Sequence, residues 1–356
     1  MLQSLLNQRA LPPILTPNAT KPGWEARRKE IIDQFAAQVY GVTPPPPHAV
    51  TAATLSEHKR AWSGAADHYQ IALSFDAPKG AITFPVELAL PISEHRVPLF
   101  IFITFRKPCL FECPIEEILE GGYGVAAFCY EDITSDDGDM KNGLAALHDR
   151  AGDNKTCWGK IGMWAYAASR VMDYAQTLER VDQSRISCLG HSRLGKTSLW
   201  CAAQDTRFFA AFINNSGCSG AAVTRGKQGE KVRDICTTFP YWFCENYRAY
   251  IDRENDMPFD QHQLMATLAP RLAYTASAVE DIWADPDSEY LSAVAASDVY
   301  RMLGLSGLVH PNRMPAPGDT FHEGEIGFHL RSSTHFLSRY DWIMFMRYLN
   351  KRQKGR

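Results

Sequence analysis

With 356 residues, 45% of them hydrophobic and 22% charged, the chain has the composition of an ordinary globular protein, long enough for one large α/β domain or two small ones. Its 37 basic and 40 acidic residues leave a formal net charge of −3, which is no electrostatic footprint for nucleic acid or an anionic membrane surface. Nor does any apolar run reach the roughly eighteen residues of a membrane span.

Residues 1–9 lack the basic start and long apolar stretch of a secretory leader. As it stands the sequence predicts a cytoplasmic protein, or a secreted one if a leader was removed. The first sixty residues read as a lead-in of helix and loop packing on the core. Residues 24–40 carry an amphipathic helical pattern that stops at Gly41, and Pro44 to Pro47 forbid its continuation. Segments 68–75 and 81–90 alternate as antiparallel strands do. Residues 97–105 form a continuous apolar run, the pattern of a buried central strand. A short helix over 115–120 and a buried strand over 124–130 follow.

Residues 131–155 are polar and rich in Asp and Gly, which predicts a surface loop. A long helix is expected over 158–178, a strand over 185–189 and a helix over 196–204. Further strands are expected over 208–214 and 271–277, and a last helix over 338–349. Strands alternating with helices after an antiparallel start predict an α/β fold with a mostly parallel sheet covered on both faces. There is no repeat and no linker, so one domain is expected, with residues 61–356 as its catalytic part.

Nine cysteines are an odd number, and Cys129, Cys188, Cys201 and Cys218 fall in expected core elements. They read as buried free thiols, as in a reducing compartment. Cys109 and Cys113 have the spacing of half a zinc site. No second pair follows, and no metal is expected there.

The chemistry concentrates at Gly190-His191-Ser192-Arg193-Leu194-Gly195. An apolar strand ends in a glycine-flanked turn with serine at its apex, and a helix follows at once. That is the pattern of a nucleophile elbow, with one residue more before the second glycine than in G-x-S-x-G. Ser192 as a simple helix N-cap is the bland alternative. Gly190 to Thr197 also satisfies G-x-x-x-x-G-K-[ST], the phosphate-binding loop. Its interior has no glycine to let the backbone wrap phosphates, and no strand ending in a magnesium-binding Asp follows.

A serine nucleophile needs a base, and the base an orienting acid, in the chain order Ser, acid, His. Glu280 and Asp281 follow the strand expected over 271–277, and only one of the two neighbours can face a histidine. His329 and His335 compete for the base, and His335 is favoured because it lies just before the last helix. The backbone N–H of Arg193 would stabilise an oxyanion, with its guanidinium as a further donor. Lys196, one turn on, could face the same cleft.

Several segments together resemble one family: Gly190 to Lys196, Asn214 to Ala222, Phe239 to Cys244, Asp260-Gln261-His262, Leu268 to Arg271 and Glu280 to Pro286. They are similar to the glucuronoyl esterases, carbohydrate esterase family 15, over residues 24–342. The resemblance implies an α/β-hydrolase fold, a Ser-His-acid triad, and no metal or other cofactor. It implies cleavage of the ester between 4-O-methyl-glucuronic acid on xylan and alcohols of lignin, a plant cell-wall carbohydrate ester. By that likeness Ser192 is the nucleophile, Arg193 the oxyanion stabiliser and His335 the base, while Lys196 and Trp283 contact the sugar acid. Arg233 and Tyr241 lie near other sugar-contacting positions. Many members carry a glutamate where this chain has Asn215, so the acid is expected from Asp281 or Glu280. An acetyl xylan esterase and an inactive carbohydrate-binding homologue are the alternative functions.

Overall fold

The computed structural model describes residues 1–16, 19–148 and 154–353. Among them ten strands make one sheet: β1 (Val50–Arg60), β2 (Ala66–Ala77), β3 (Gly80–Pro91), β4 (Val97–Thr104), β5 (Gly124–Cys129), β6 (Val181–His191), β7 (Ala210–Asn214), β8 (Leu272–Ala278), β9 (Thr320–Phe321) and β10 (Ile326–Arg331). Their spatial order is β1-β2-β3-β5-β4-β6-β7-β8-β10-β9. The first four in that order pair antiparallel. From β5 to β10 every pairing is parallel, and β9 closes the far edge antiparallel to β10. This is the antiparallel start and mostly parallel sheet expected from the sequence.

All eight residues of β4 are buried, because a parallel strand inside a covered sheet meets apolar side chains on both faces. Helix Lys160–Ala175 has 13 of its 16 residues buried and packs against helix Arg193–Gln204. The nine cysteines are free thiols, seven of them buried. Among the described residues no helix is long and apolar enough to cross a membrane.

The structure differs from the sequence reading in several places. The lead-in contains β1, which pairs along its length with β2, so one sheet runs through residue 60. The helix expected over 24–40 is α-helical for Trp24–Phe35 and widens into π-type turns over Ala36–Tyr40. The loop expected over 131–155 includes the helical turn Gly143–Ala146 and is tied down from within. Lys160, wholly buried, donates to the carbonyls of Ser135 (2.5 Å) and Asp139 (2.8 Å). Residues 149–153 of that loop lie outside the described part. Additional elements include helices Leu2–Arg9, Val232–Thr238, Gln261–Ala266 and Pro286–Met302 and strands β9 and β10. The last helix spans Arg339–Gln353.

Since β6, β7, β8 and β10 are mutually parallel, their C-terminal ends share one edge of the sheet. The segments leaving that edge carry Ser192, Asn215, Asp281 and His335. Open parallel sheets bind their ligands along this edge.

Candidate active site

Strand β6 passes directly into helix Arg193–Gln204 through Ser192, whose backbone has φ 59° and ψ −127°. The turn is possible because strand and helix cross at backbone contact. A Cβ on Gly190 would sit 2.0 Å from the Leu194 carbonyl oxygen, and one on Gly195 would sit 3.0 Å from that of Asn214. Ser192 N–H donates to the Asn214 carbonyl (2.8 Å), which ties the turn to the end of β7. Arg193 is the first residue of the helix, where backbone N–H groups have no intrahelical acceptor. That N–H is free to meet an oxyanion beside the serine oxygen.

A continuous hydrogen-bonded chain runs from the serine. His335 Nε2 lies 2.9 Å from Ser192 Oγ, and His335 Nδ1 lies 2.6 Å from Asp281 Oδ2. Asp281 is buried just past β8. Its Oδ2 also accepts from Asn215 Nδ2 (2.7 Å), and its Oδ1 from Ala284 N–H (3.2 Å). Burial alone would push this carboxyl up. The hydrogen bond and charge of His335, the Asn215 amide and the Ala284 N–H outweigh it and hold the pKa below the ordinary carboxylate value. A carboxylate so held keeps the proton of His335 on Nδ1 and leaves Nε2 to accept one.

Glu280, the alternative acid, does not join this chain. It is exposed in the turn after β8 and accepts from Ser333 N–H (3.1 Å). His329, the alternative base, is wholly buried within β10. It lies between Tyr274 Oη (3.0 Å from Nδ1) and Asp341 Oδ1 (2.8 Å from Nε2).

The loop that carries His335 is braced from below. Arg331 pairs with buried Asp341 (3.1 Å) and donates to the carbonyls of Ser332 (3.1 Å), Thr334 (3.0 Å) and Phe336. His191 packs against His335 with ring centroids 4.6 Å apart, and its Nδ1 is 2.6 Å from Asn214 Oδ1. Burial, with the charge of His335 second, pushes the His191 pKa down to about 3. His191 is therefore neutral beside the base.

The Arg193 side chain is anchored on the neighbouring loop and aromatic segment. Its guanidinium pairs with Asp136 and lies 4.7 Å from the ring centroid of Trp242 and 5.2 Å from that of Phe239. Asp136 also accepts from Trp242 Nε1 (2.7 Å) and Tyr130 Oη (3.0 Å). Tyr241 reaches the same segment, donating to the Asp136 carbonyl (2.8 Å). The polar loop thus supplies the anchor for the arginine. Asp136 and Trp242 were missed from sequence, although Trp242 stands beside Tyr241 in the aromatic stretch Phe239 to Phe243.

Lys196 is buried, with Nζ 2.5 Å from the Ser216 carbonyl and 3.3 Å from Glu230 Oε2. Glu230 N–H donates to the Trp283 carbonyl (2.9 Å), and the Trp283 side chain is exposed. Lys196, Glu230 and Trp283 therefore form one group, and Glu230 is its unforeseen member. Arg233 does not belong to it. It projects from the exposed face of helix Val232–Thr238, opposite buried Ile235 and Cys236, and pairs with Asp252 (2.9 Å).

Comparison with known proteins bears on this geometry. Residues 74–304 match the family model described as glucuronyl esterase, fungi. A carbohydrate esterase from an unknown prokaryotic organism is 35% identical, covering 93% of this chain and 86% of that protein. The 4-O-methyl-glucuronoyl methylesterase of Podospora anserina is 26% identical over 80% of this chain, which spans only 57% of that longer protein. Among solved structures, a promiscuous CE15 esterase from a marine bacterial metagenome superimposes with a TM-score of 0.88 at 34% identity, over 96% of both chains. A glucuronoyl esterase from Solibacter usitatus gives 0.88 at 32% identity, over 96% of this chain and 97% of its own.

Proposed function

The chain belongs to the glucuronoyl esterase family, carbohydrate esterase family 15, and from that membership we propose that it hydrolyses 4-O-methyl-glucuronoyl esters of plant cell-wall carbohydrate with Ser192 as nucleophile. The observation that carries the reading is the unbroken chain Ser192–His335–Asp281, and Lys196, one turn along the helix that starts at Arg193, supports it with Glu230 and Trp283. The first is the machinery of acyl transfer. The second offers an ammonium, a carboxylate and an exposed indole to the hydroxyls and apolar face of a sugar acid.

In the mechanism, His335 Nε2 takes the proton of Ser192 Oγ as that oxygen attacks the ester carbonyl. The negative charge developing on the carbonyl oxygen is met by Arg193, through its backbone N–H and its guanidinium. Asp281 stabilises the imidazolium and keeps its proton. As the C–O bond to the alcohol breaks, His335 returns the proton to the departing oxygen. Water, deprotonated by the same nitrogen, then attacks the acyl-serine, releasing the uronic acid and restoring Ser192 O–H. Every step uses groups of this chain, the ester and water.

The test is hydrolysis of benzyl glucuronate against an acetylated xylo-oligosaccharide, for wild type and Ser192→Ala in parallel. Cleavage of the glucuronate ester that disappears in the variant is the expected result. Release of acetate alone would overturn the glucuronoyl assignment, and unchanged turnover in Ser192→Ala would overturn the mechanism.

A further inference from the structure

Glu289 is wholly buried and takes no step of the acyl transfer. It lies in the first turn of helix Pro286–Met302, where the helix dipole favours negative charge. Its Oε1 accepts from the backbone N–H groups of Ser216 (2.7 Å) and Gly217 (2.9 Å) and from Ser216 Oγ (3.0 Å). Its Oε2 accepts from Ser277 Oγ (2.6 Å), near the end of β8. Burial raises its pKa, against the pull of the Ser277 hydroxyl and the Gly217 N–H. Burying a carboxyl group is costly, and these bonds are what offset it.

The loop that Glu289 grips carries two groups of the site. It leaves the C-terminal end of β7, and Asn215 (φ 44°), Gly217 (φ 60°) and Ser219 (φ 57°) all stand in the left-handed region. Residues with a side chain hold that conformation only where their surroundings compel it. The successive N–H groups of Ser216 and Gly217 form a cradle for one carboxylate oxygen. Immediately before the cradle, Asn215 Nδ2 donates to Asp281 Oδ2 (2.7 Å). Within it, the Ser216 carbonyl accepts from Lys196 Nζ (2.5 Å). Ser277, on the other oxygen, precedes Asp281 by four residues. One carboxyl group therefore ties helix Pro286–Met302 to both chain segments that meet at the triad acid.

We propose that Glu289 is a positioning residue for both halves of the site: through Asn215 it orients Asp281 towards His335, and through the Ser216 carbonyl it fixes the ammonium of Lys196. The Lys196 half rests on the glucuronoyl-ester reading above, whereas the Asp281 half holds for any ester that Ser192 attacks. What the loop needs from residue 289 is an oxygen at the reach of a glutamate. Aspartate keeps the charge and withdraws both oxygens by one methylene. Glutamine keeps the reach: its Oε1 accepts from both N–H groups, and its Nε2 donates to Ser277 Oγ, whose own proton turns away.

The experiment measures kcat and KM for benzyl glucuronate and 4-nitrophenyl acetate in wild type, Glu289→Asp, Glu289→Gln, Asn215→Ala and the double variant of Asn215→Ala with Glu289→Asp. Glu289→Asp is expected to lower kcat about tenfold on both esters and to raise KM about threefold for the glucuronate alone. Glu289→Gln should recover both to within about twofold. In the double variant kcat should stay near that of Asn215→Ala, because both changes undo the same bond to Asp281, while the rise in KM persists. Losses of kcat that multiply to about a hundredfold overturn the route through Asn215. A wild-type kcat in Glu289→Asp, or glutamine as poor as aspartate, overturns the positioning role. Where the aspartate variant fails to fold, Ser277→Ala frees Oε2 alone: about threefold in kcat is expected, vanishing when Asn215→Ala is already present, and no loss overturns the role. Failure of wild type on benzyl glucuronate overturns the glucuronoyl reading and the Lys196 half with it, and kcat on 4-nitrophenyl acetate then decides the Asp281 half.

Discussion

The amide of Asn215 and the carboxylate of Asp281 meet at one oxygen: Asn215 Nδ2 donates to Asp281 Oδ2 at 2.7 Å, and that oxygen is also the one 2.6 Å from His335 Nδ1. An amide that cannot itself serve as the acid thus fixes the orientation of the carboxylate that does. Asp281→Asn is expected to lower kcat by about three to four orders of magnitude, since a neutral partner neither stabilises the imidazolium nor holds its tautomer. Asn215→Ala removes a buried donor and leaves the charge, so about tenfold is expected. Steady-state kinetics on a glucuronate ester check both, and the reverse order would move the acid away from residue 281.

Arg193 is held flat by Trp242 and Phe239 and paired with Asp136. Lysine keeps the charge and loses both the stacking plane and the fork of donors. Arg193→Lys is therefore expected to lower kcat/KM by about a hundredfold, the scale of one lost oxyanion donor. Asp136→Asn should reduce activity in the same direction by releasing the guanidinium. A lysine variant within a factor of about two of wild type would show that only the backbone N–H matters.

Stability should fall on acidification, starting near neutrality. Burial pushes the His191 pKa to about 3 and that of His322 to about 4, with the charge of a neighbouring histidine second in each case, against an ordinary 6.5. Between 6.5 and those values the unfolded chain binds the protons and the folded chain does not, so stability rises with pH across that window. Asp281 and Asp341, held below the ordinary carboxylate value, act in the same direction further down: their contribution is present above the unfolded pKa and lost as pH falls through the folded one. Urea midpoints measured from about pH 7 to pH 5 should decline, each histidine contributing up to about 1.4 kcal/mol per unit. His322→Gln should remove one share of that slope; a midpoint flat over the range would contradict this account.

Arg331 ties Asp341 to three carbonyls on either side of His335. Arg331→Met leaves the buried Asp341 carboxylate without its cation, which is expected to cost about 3 kcal/mol of stability. It also frees the loop bearing the base. Chemical denaturation and kcat should both report the loss, and a variant with wild-type values of both would show that the loop holds itself.

What the sequence disclosed was local. Gly190, Ser192 and Gly195 declare a tight turn within six residues, and the order Ser192, Asp281, His335 follows from the chain. Partners brought together by folding were not visible. Asp136 meets Arg193 across 57 residues and Glu230 meets Lys196 across 34, with no pattern linking them in the chain. Of the elements that escaped, two did so for the opposite reasons of too little burial and too much. β1 is exposed along nearly all its length and shows no alternation. Helix Pro286–Met302 is buried at 13 of 17 positions and shows no polar stripe.

The backbone at Ser192, at φ 59° and ψ −127°, is one that a residue with a side chain adopts only when its surroundings compel it. Robustness and reactivity are therefore in conflict at a single position. Ser192→Gly would relieve the conformation and is expected to raise stability by about 1 kcal/mol while removing the nucleophile. A lineage that had ceased to turn over substrate would have a stabilising substitution always within reach and nothing to oppose it. The strain at Ser192 is thus the stability cost of the geometry from which its oxygen meets His335.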